Sequence, residues 1–433
     1  MQKYHIITFG CQMNISDSER IAGFLKKMKY EKTSDINEAD LIVVNMCSVR
    51  QSAVDRIWGL TLKFKEQRAV NNRLRTILTG CILGPDFEKF KPHFDYILSI
   101  KTLPYWKEIL KKEKFYYYPN LRKLEPCNEL KRNYLEIEPL YFNNFSAFIP
   151  ISTGCNNFCS YCVVPYARGL LACKDYKSIL KEIQKLVKKN FKEFWLLGQN
   201  VNDYHSPLDP LIDFPELLRL INEIPGDFWV RFTSPHPKNF SEKLIKALAE
   251  SEKITEYLNL PVQSGDNNIL KKMNRSYTIS SYKKLVKKLK VAIPEICLST
   301  DVIVGFPGET KKQFENTAKL FKDIKFDMAY IAEYSPRART NASKIKDSIS
   351  KKEKVKRRKI LTEILKKTVL QSNKKYIGKN LDILVEQEKN GFLFGKTRTC
   401  KVIKFEGKKK LIGNFVRVKV TGATYFGLKG KSI

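Results

Sequence analysis

Short apolar runs separated by stretches at helical spacing fill the first four fifths of the chain, and strict alternation takes over after about residue 380. Ile6 to Phe9, Leu41 to Val44 and Thr76 to Leu78 are runs of the continuous kind that suits parallel strands buried on both faces. Between the first two, Ile21, Phe24, Leu25 and Met28 recur at helical spacing behind Ser16 and Glu19, which fit a capping box. Residues 1–118 therefore predict an open α/β domain. Periodicity fades over 112–145, where Tyr116 to Tyr118 are followed by Pro119, Pro126 and Pro139. That stretch predicts a linker, placed at 119–145.

From Phe148 six strands can be placed: Phe148 to Ser152, Phe194 to Leu197, Trp229 to Phe232, Tyr257 to Leu260, Leu298 to Val304 and Ala329 to Tyr334. Helical patterns lie between them. Tyr282, Leu285, Val286 and Leu289 share one face, and Thr310 with Gln313 caps a helix carrying Phe314, Ala318 and Phe321. Six βα units within 146–372 predict a partial (β/α)6 barrel, with chemistry at the carboxyl ends of its strands. A basic helix over Lys351 to Gln371 closes this domain, its charges open to reading as a solvated face or an RNA contact. Residues 373–433 then alternate with period two over Leu381 to Glu386, Phe392 to Arg398, Lys401 to Phe405 and Phe415 to Val420, the pattern of a small all-β barrel.

Composition narrows the class. The chain has 433 residues, 43% hydrophobic and 12% aromatic, enough for packed cores and unlike a disordered tail or a disulfide-stapled miniprotein. No apolar run approaches the roughly 18 residues of a membrane helix, and MQKYHIITFGCQMN lacks the layout of a signal peptide. The expectation is a cytoplasmic, reducing setting with no membrane partner. The formal net charge is +34, but Lys outnumbers Arg 61 to 18, so part of it reflects compositional drift. Distribution says more: residues 373–433 hold 15 Lys plus Arg against 4 Asp plus Glu, a candidate nucleic-acid footprint.

Ten cysteines are too few for a disulfide framework in a chain this long. Cys11 follows the first predicted strand, Cys47 the second and Cys81 the third, and ligands of open parallel sheets sit outside such carboxyl ends. Three cysteines at one edge can converge. Cys155, Cys159 and Cys162 stand at C-x3-C-x2-C directly after the first barrel strand, in GCNNFCSYCVVPYARG. Three thiolates on one loop can hold three irons of a cubane and leave the fourth open. Zinc is the alternative, but structural zinc wants four ligands and no further His or Cys lies near enough in sequence.

This spacing, with Tyr161 before the last cysteine, resembles the radical S-adenosylmethionine superfamily. The flanking segments narrow the likeness. GCQMN at 10–14, NMCSVR at 45–50, TGC at 79–81, LGQNVN at 197–202, RFTSPHP at 231–237, LPVQSG at 260–265 and DVIVGFPGET at 301–310 resemble the MiaB-type tRNA methylthiotransferases, and the C-terminal module is similar to a TRAM RNA-binding domain. The likeness covers essentially the whole chain. It implies an enzyme that methylthiolates C2 of N6-isopentenyladenosine at position 37 of tRNA, recognises the anticodon stem-loop, and uses S-adenosylmethionine as radical source and methyl donor. It also implies two [4Fe-4S] clusters, one on Cys155, Cys159 and Cys162, the other on Cys11, Cys47 and Cys81 to deliver sulfur.

Tyr161, Gln199, Asn200, Arg231, Gln263, Ser264 and Asp301 fall at or near the strand ends facing the first cluster and are the candidate cofactor contacts, though a buried polar network would look the same in sequence. An electron donor such as a flavodoxin or ferredoxin is implied, and a monomer is expected. Cys127, Cys173, Cys297 and Cys400 are read as spectators, and His236 receives no role. Leu170 to Lys174 replaces the family's acidic residue and Ser-Arg after Gly169, Arg339 stands where Gly is frequent, and Gln387 follows Glu386 in place of Gly. Two other readings stand beside this one: a sister methylthiotransferase acting on threonylcarbamoyladenosine or on a ribosomal protein, and a non-catalytic iron-sulfur RNA-binding protein.

Overall fold

The computed structural model describes residues 2–48, 51–117 and 133–433; Val49, Arg50, Tyr118, Pro119, Pro126 and Cys127 lie outside them. The chain is α/β, with an N-terminal open sheet, a central partial barrel and a small closed all-β barrel.

The N-terminal sheet is wholly parallel and has six strands, in the order Glu31–Lys32, Lys3–Thr8, Leu41–Cys47, Arg75–Cys81, Tyr96–Leu98 and Phe115–Tyr117. Leu41–Cys47 is buried at every position, as a central strand covered on both faces must be. Cys47 and Cys81 end adjacent strands and are register partners. The helix after the first strand starts at Gln12, one turn before the expected capping box. Its N-terminal turn uses Asn14, whose Oδ1 accepts the Cys11 backbone N–H at 3.3 Å. Ser16 and Glu19 are buried inside the helix because the helix is wedged between its own sheet and the barrel: Ser16 Oγ donates to Phe148 O at 3.2 Å, and Glu19 Oε1 accepts Phe142 N–H at 3.0 Å.

Within the expected linker, Tyr134 and Leu135 are fully buried in the N-terminal core, and Leu140 N–H bonds Glu19 O. Residues 133–145 are thus a strap packed along the wedged helix. Two further ties cross the same seam. Arg20 NH2 lies 3.4 Å from Glu182, and Arg337 NH1, from the loop after the last barrel strand, donates to Gln51 Oε1 at 2.8 Å. With contacts on both the first and last barrel strands' sides, the N-terminal domain spans the gap that six strands leave open.

The barrel strands are Ser146–Pro150, Glu193–Leu197, Trp229–Phe232, Tyr257–Asn259, Cys297–Val304 and Met328–Glu333. They form two parallel three-stranded sheets joined by a bridge between Val230 and Ile254. The Thr310–Gln313 capping box opens the helix Lys311–Ile324. In the DVIVGFPGET segment Glu309 accepts Gly305 N–H at 2.8 Å and Arg357 NH1 at 2.6 Å, so that motif clamps the final helix, Lys351–Lys374. Arg357 and Lys354 are accordingly buried, and only part of the basic row faces solvent.

The C-terminal module closes as five strands, Asn380–Lys389, Phe392–Thr397, Val402–Phe405, Leu428–Ser432 and Phe415–Ala423, around Ile383, Val385, Leu393, Ile403, Phe405 and Val418. It packs on the amino ends of the barrel strands: Trp229 meets Phe415 at 4.6 Å between ring centroids, Arg398 pairs with Glu256, and Lys401 pairs with Asp327. Arg231 belongs to this seam and not to the cofactor contacts. It is 1% exposed, its Nε donates to Glu193 at 2.7 Å, and NH1 and NH2 donate to the carbonyls of Arg398 and Thr397 at 2.6 and 2.8 Å. Those acceptors claim the fork and turn it toward the amino ends of the strands.

Removing one partner of such a pair leaves a buried, uncompensated charge. Arg231→Met is expected to lower stability by about 3–5 kcal/mol, read as a lower denaturation midpoint of the full chain. An unchanged midpoint would show that water reaches Glu193.

Candidate functional site

One set of three cysteines follows the first barrel strand, and the other sits at the carboxyl edge of the N-terminal sheet. The first is carried on the loop between Ser152–Thr153 and the short helix Val164–Arg168. Gly154 opens that loop with φ of 80°, and a side chain there would strike Leu170 O at 2.1 Å, so only glycine fits. Cys162 N–H bonds Cys159 O, and Arg275 NH1 lies 3.6 Å from Cys159 Sγ. Burial pushes the Cys162 thiol up to about 12 and lifts Cys155 as well, with Cys159 adding to both. Thiols raised in this way, Cys155 and Cys162, keep their protons until a cationic group replaces them.

In the second set Cys47 and Cys81 stand side by side, and Cys11 opens the adjacent helix. An amide staple holds that helix to the edge: Asn14 Nδ2 donates to Asn45 Oδ1 and to Met46 O, both at 3.0 Å, and Asn45 Nδ2 returns a bond to Asn14 O at 2.8 Å. Gly80, with φ of 101°, lets the strand end pass within 2.4 Å of where its side chain would meet Asn45 and Met46. The hydrogen bond that its S–H gives Cys47, then burial, lift the Cys81 thiol well above its usual value, while Arg168 opposes them.

Whether these residues fit clusters and a cofactor can be judged from the polar atoms left over. Around the second set Asp17 Oδ1, Ser48 Oγ, Thr79 Oγ1 and Arg168 NH1 are buried without a partner, and around the first so are both amide atoms of Asn200, Ser152 Oγ and His236 Nε2. Buried polar groups are normally satisfied, so unmet groups gathered beside each cysteine set suit bound polar groups. Among the described residues no three Cys, His, Asp or Glu side chains converge on a single ion. A cubane asks for wider spacing, since each thiolate takes its own iron.

The other expected contacts divide. Gln199 Oε1 accepts Gly154 N–H at 2.5 Å and braces the cysteine loop, while Asn200 beside it is 1% exposed and unbonded. Gln263 takes φ of 66° and bridges the fifth barrel strand, its N–H donating to Asp301 O at 2.8 Å. Ser264 Oγ accepts Asp266 N–H, a local turn bond, and Tyr161 packs with Ile269, Met273, Phe306 and Tyr334. Asp301 is half-buried in its strand. Where the acidic residue after Gly169 is missing, Asn156 Oδ1 accepts Leu171 N–H at 3.0 Å and holds the segment to the loop. Cys297 and Cys400 lie at the barrel's far end, beside Lys401 and Arg231 respectively.

His236 is buried and neutral, held down to about 3 by burial and by Arg275. Sequence reading missed Arg168 and Arg275, both of which donate to cysteine sulfur. Arg168 stands in the YARG segment, but neither its spacing nor its chemistry marks it. Arg275 has no motif around it.

Comparison with known proteins agrees with this architecture. The radical SAM superfamily matches residues 149–321, the uncharacterized protein family UPF0004 residues 3–99, and the TRAM domain residues 374–433. Among solved structures, a radical S-adenosylmethionine methyltransferase, TsrM from Kitasatospora setae, superposes with a TM-score of 0.57 at 14% identity, over 79% of this chain and 75% of its own. The cobalamin-dependent S-adenosylmethionine radical enzyme OxsB gives 0.52 at 13% identity, over 84% and 56%. At these identities the likeness is one of fold. Sequence relatives are nearer. A tRNA-2-methylthio-N(6)-dimethylallyladenosine synthase of Clostridium novyi (strain NT) is 40% identical over 100% of this chain and 97% of its own, and one of Thermoanaerobacter sp. (strain X514) is 38% identical over 99% and 92%. With that identity across the full length, and with one cysteine set at the edge of the N-terminal sheet and the other after the first barrel strand, the chain belongs to the MiaB-type radical S-adenosylmethionine methylthiotransferase family.

Proposed function

We propose that this chain inserts a methylthio group at C2 of N6-isopentenyladenosine 37 of tRNA, with two [4Fe-4S] clusters and S-adenosylmethionine serving as radical source and methyl donor. The observation that carries the reading is the pair of three-cysteine sets brought together across one seam, where Arg168, six positions past Cys162, touches Cys81. When bound, the first cluster with its cofactor supplies a 5'-deoxyadenosyl radical and the second supplies sulfur.

The remaining work belongs to the chain. Cys155, Cys159 and Cys162 hold one cluster, and Cys11, Cys47 and Cys81 the other. The free amide of Asn200 orients the cofactor's polar groups, and Gln199 keeps the cysteine loop in register. The N-terminal domain, spanning the barrel's open gap, shields the reacting carbon from water. The target base, beside the anticodon, is unstacked into this site, which a loop permits more cheaply than a duplex.

Incubating reconstituted protein with isopentenylated tRNA, S-adenosylmethionine and reductant should add the methylthio group, read by mass spectrometry of the digested nucleosides. Product on threonylcarbamoylated tRNA alone would reassign the substrate. About eight irons and eight sulfides per chain are expected.

The C-terminal module is the proposed RNA grip. Its Lys408, Lys409 and Lys410 are exposed on the turn that leads into Ile412, where the module meets the barrel. If six or more phosphates are neutralised, tRNA affinity should fall about a thousandfold between 50 and 200 mM salt. Replacing these three lysines with Gln should flatten the salt slope by about three counterions, read by gel shift. An unchanged slope would move the grip to the exposed charges of Lys351–Lys374.

A further inference from the structure

We propose that Arg168 sets the redox character of the second cluster through a hydrogen bond to its ligand Cys81, and so links the sulfur-bearing centre to the loop that carries the radical centre. The inference rests on the two-cluster reading above. Arg168 Nε lies 3.0 Å from Cys81 Sγ, NH2 lies 2.7 Å from Asp17 Oδ2, and the whole side chain is buried. Tyr134, from the strap, closes the pocket near Asp17 and Thr153.

A tie between domains would not need this geometry. Arg20 does that job nearby with ordinary oxygen acceptors, Ser16 Oγ, Leu135 O and Glu182. At Arg168 a charged donor is spent on sulfur, a weak acceptor as a thiol and a strong one as a thiolate. The contact therefore gains most when Cys81 is deprotonated, as a cluster ligand must be.

Hydrogen bonds and positive charge at a ligand sulfur stabilise the reduced, more negative cluster and raise its potential. Asp17 holds the guanidinium in register, and the helix Val164–Arg168 fixes its origin relative to Cys162. A movement of the radical loop on cofactor binding would be felt at Cys81, which the Arg168 side chain joins to the backbone of that helix through one hydrogen bond. Arg168 is in this sense a positioning residue, acting through Cys81.

The test uses full-length, doubly loaded protein. Potentials of the two clusters are followed by electron paramagnetic resonance during redox titration, and the Cys155, Cys159, Cys162 triple Ala variant serves only to assign the signals. Arg168→Lys keeps the charge beside Asp17 but cannot reach both partners with one nitrogen. Arg168→Gln combined with Asp17→Asn removes both charges and leaves a hydrogen-bonded neutral pair, which guards against a variant that does not fold.

In both, the reduced-to-oxidised ratio of the second cluster at fixed ambient potential should fall about tenfold, which is about 59 mV for one electron. The first cluster should move less than about twofold. An unchanged ratio in variants that hold eight irons would overturn the inference and leave Arg168 a structural tie, visible only as a lower denaturation midpoint. Four irons in the unsubstituted protein would instead overturn the two-cluster reading, and this inference with it.

Discussion

Protein carrying Ala at Cys155, Cys159 and Cys162 is expected to hold about half the iron and sulfide of the parent and to give no detectable 5'-deoxyadenosine from S-adenosylmethionine. The loss should be complete because no other described residue can supply those thiolates. Cys297 and Cys400 are at the far end of the barrel, and Cys173 pairs in a short antiparallel strand with Ser152. The fold should survive, since the loop is held by bonds that need no sulfur: Gln199 to Gly154, Cys155 N–H to Gly169 O, and Asn156 to Leu171. Iron and sulfide analysis with liquid chromatography of the cofactor products decides it. Full iron in the variant would mean that these cysteines are not ligands.

What the sequence disclosed follows from how each feature is buried. The six barrel strands stand within two residues of their expected bounds because short apolar runs between helical patterns mark them, even the last, Met328–Glu333, which is only partly covered. Five strands went unseen. Glu31–Lys32 is a two-residue exposed edge, Ala172–Cys173 is equally short, Tyr96–Leu98 and Phe115–Tyr117 are three residues each, and Leu428–Ser432 carries two lysines and a glycine. Their pairing is supplied by neighbours, not by their own pattern.

The site was legible where chemistry is dense and silent where it depends on partners far away in sequence. The cysteines announce themselves by type and by strand-end placement. Arg231 misled, because a strand-end arginine reads the same whether it faces a cofactor or, as here, Glu193 and a second domain. Polar residues 16–20 resemble a helix start and a solvated face, yet all are buried, since the helix they form is covered on both sides. Arg339, where glycine is frequent, takes φ of 71°, so the position asks for the backbone that glycine gives freely.

Ala at Cys11, Cys47 and Cys81 should separate the two activities. Reductive cleavage of S-adenosylmethionine is expected to stay within about twofold of the parent, while methylthio product falls at least about a hundredfold. Cleavage needs only the barrel loop, whose supports lie outside the N-terminal sheet. The sheet edge itself is held by Asn14 and Asn45, which bond each other and Met46 O without any sulfur, and Arg168 keeps its bond to Asp17 when Cys81 is gone. The variant should therefore fold, dock against the barrel and hold one cluster in place of two. Uncoupled cleavage without tRNA product, at half the parent's iron, is the signature of a sulfur-delivery defect. Equal loss of cleavage and product in a folded variant would mean that one centre does both tasks, and the seam at Arg168 would then be an architectural joint alone.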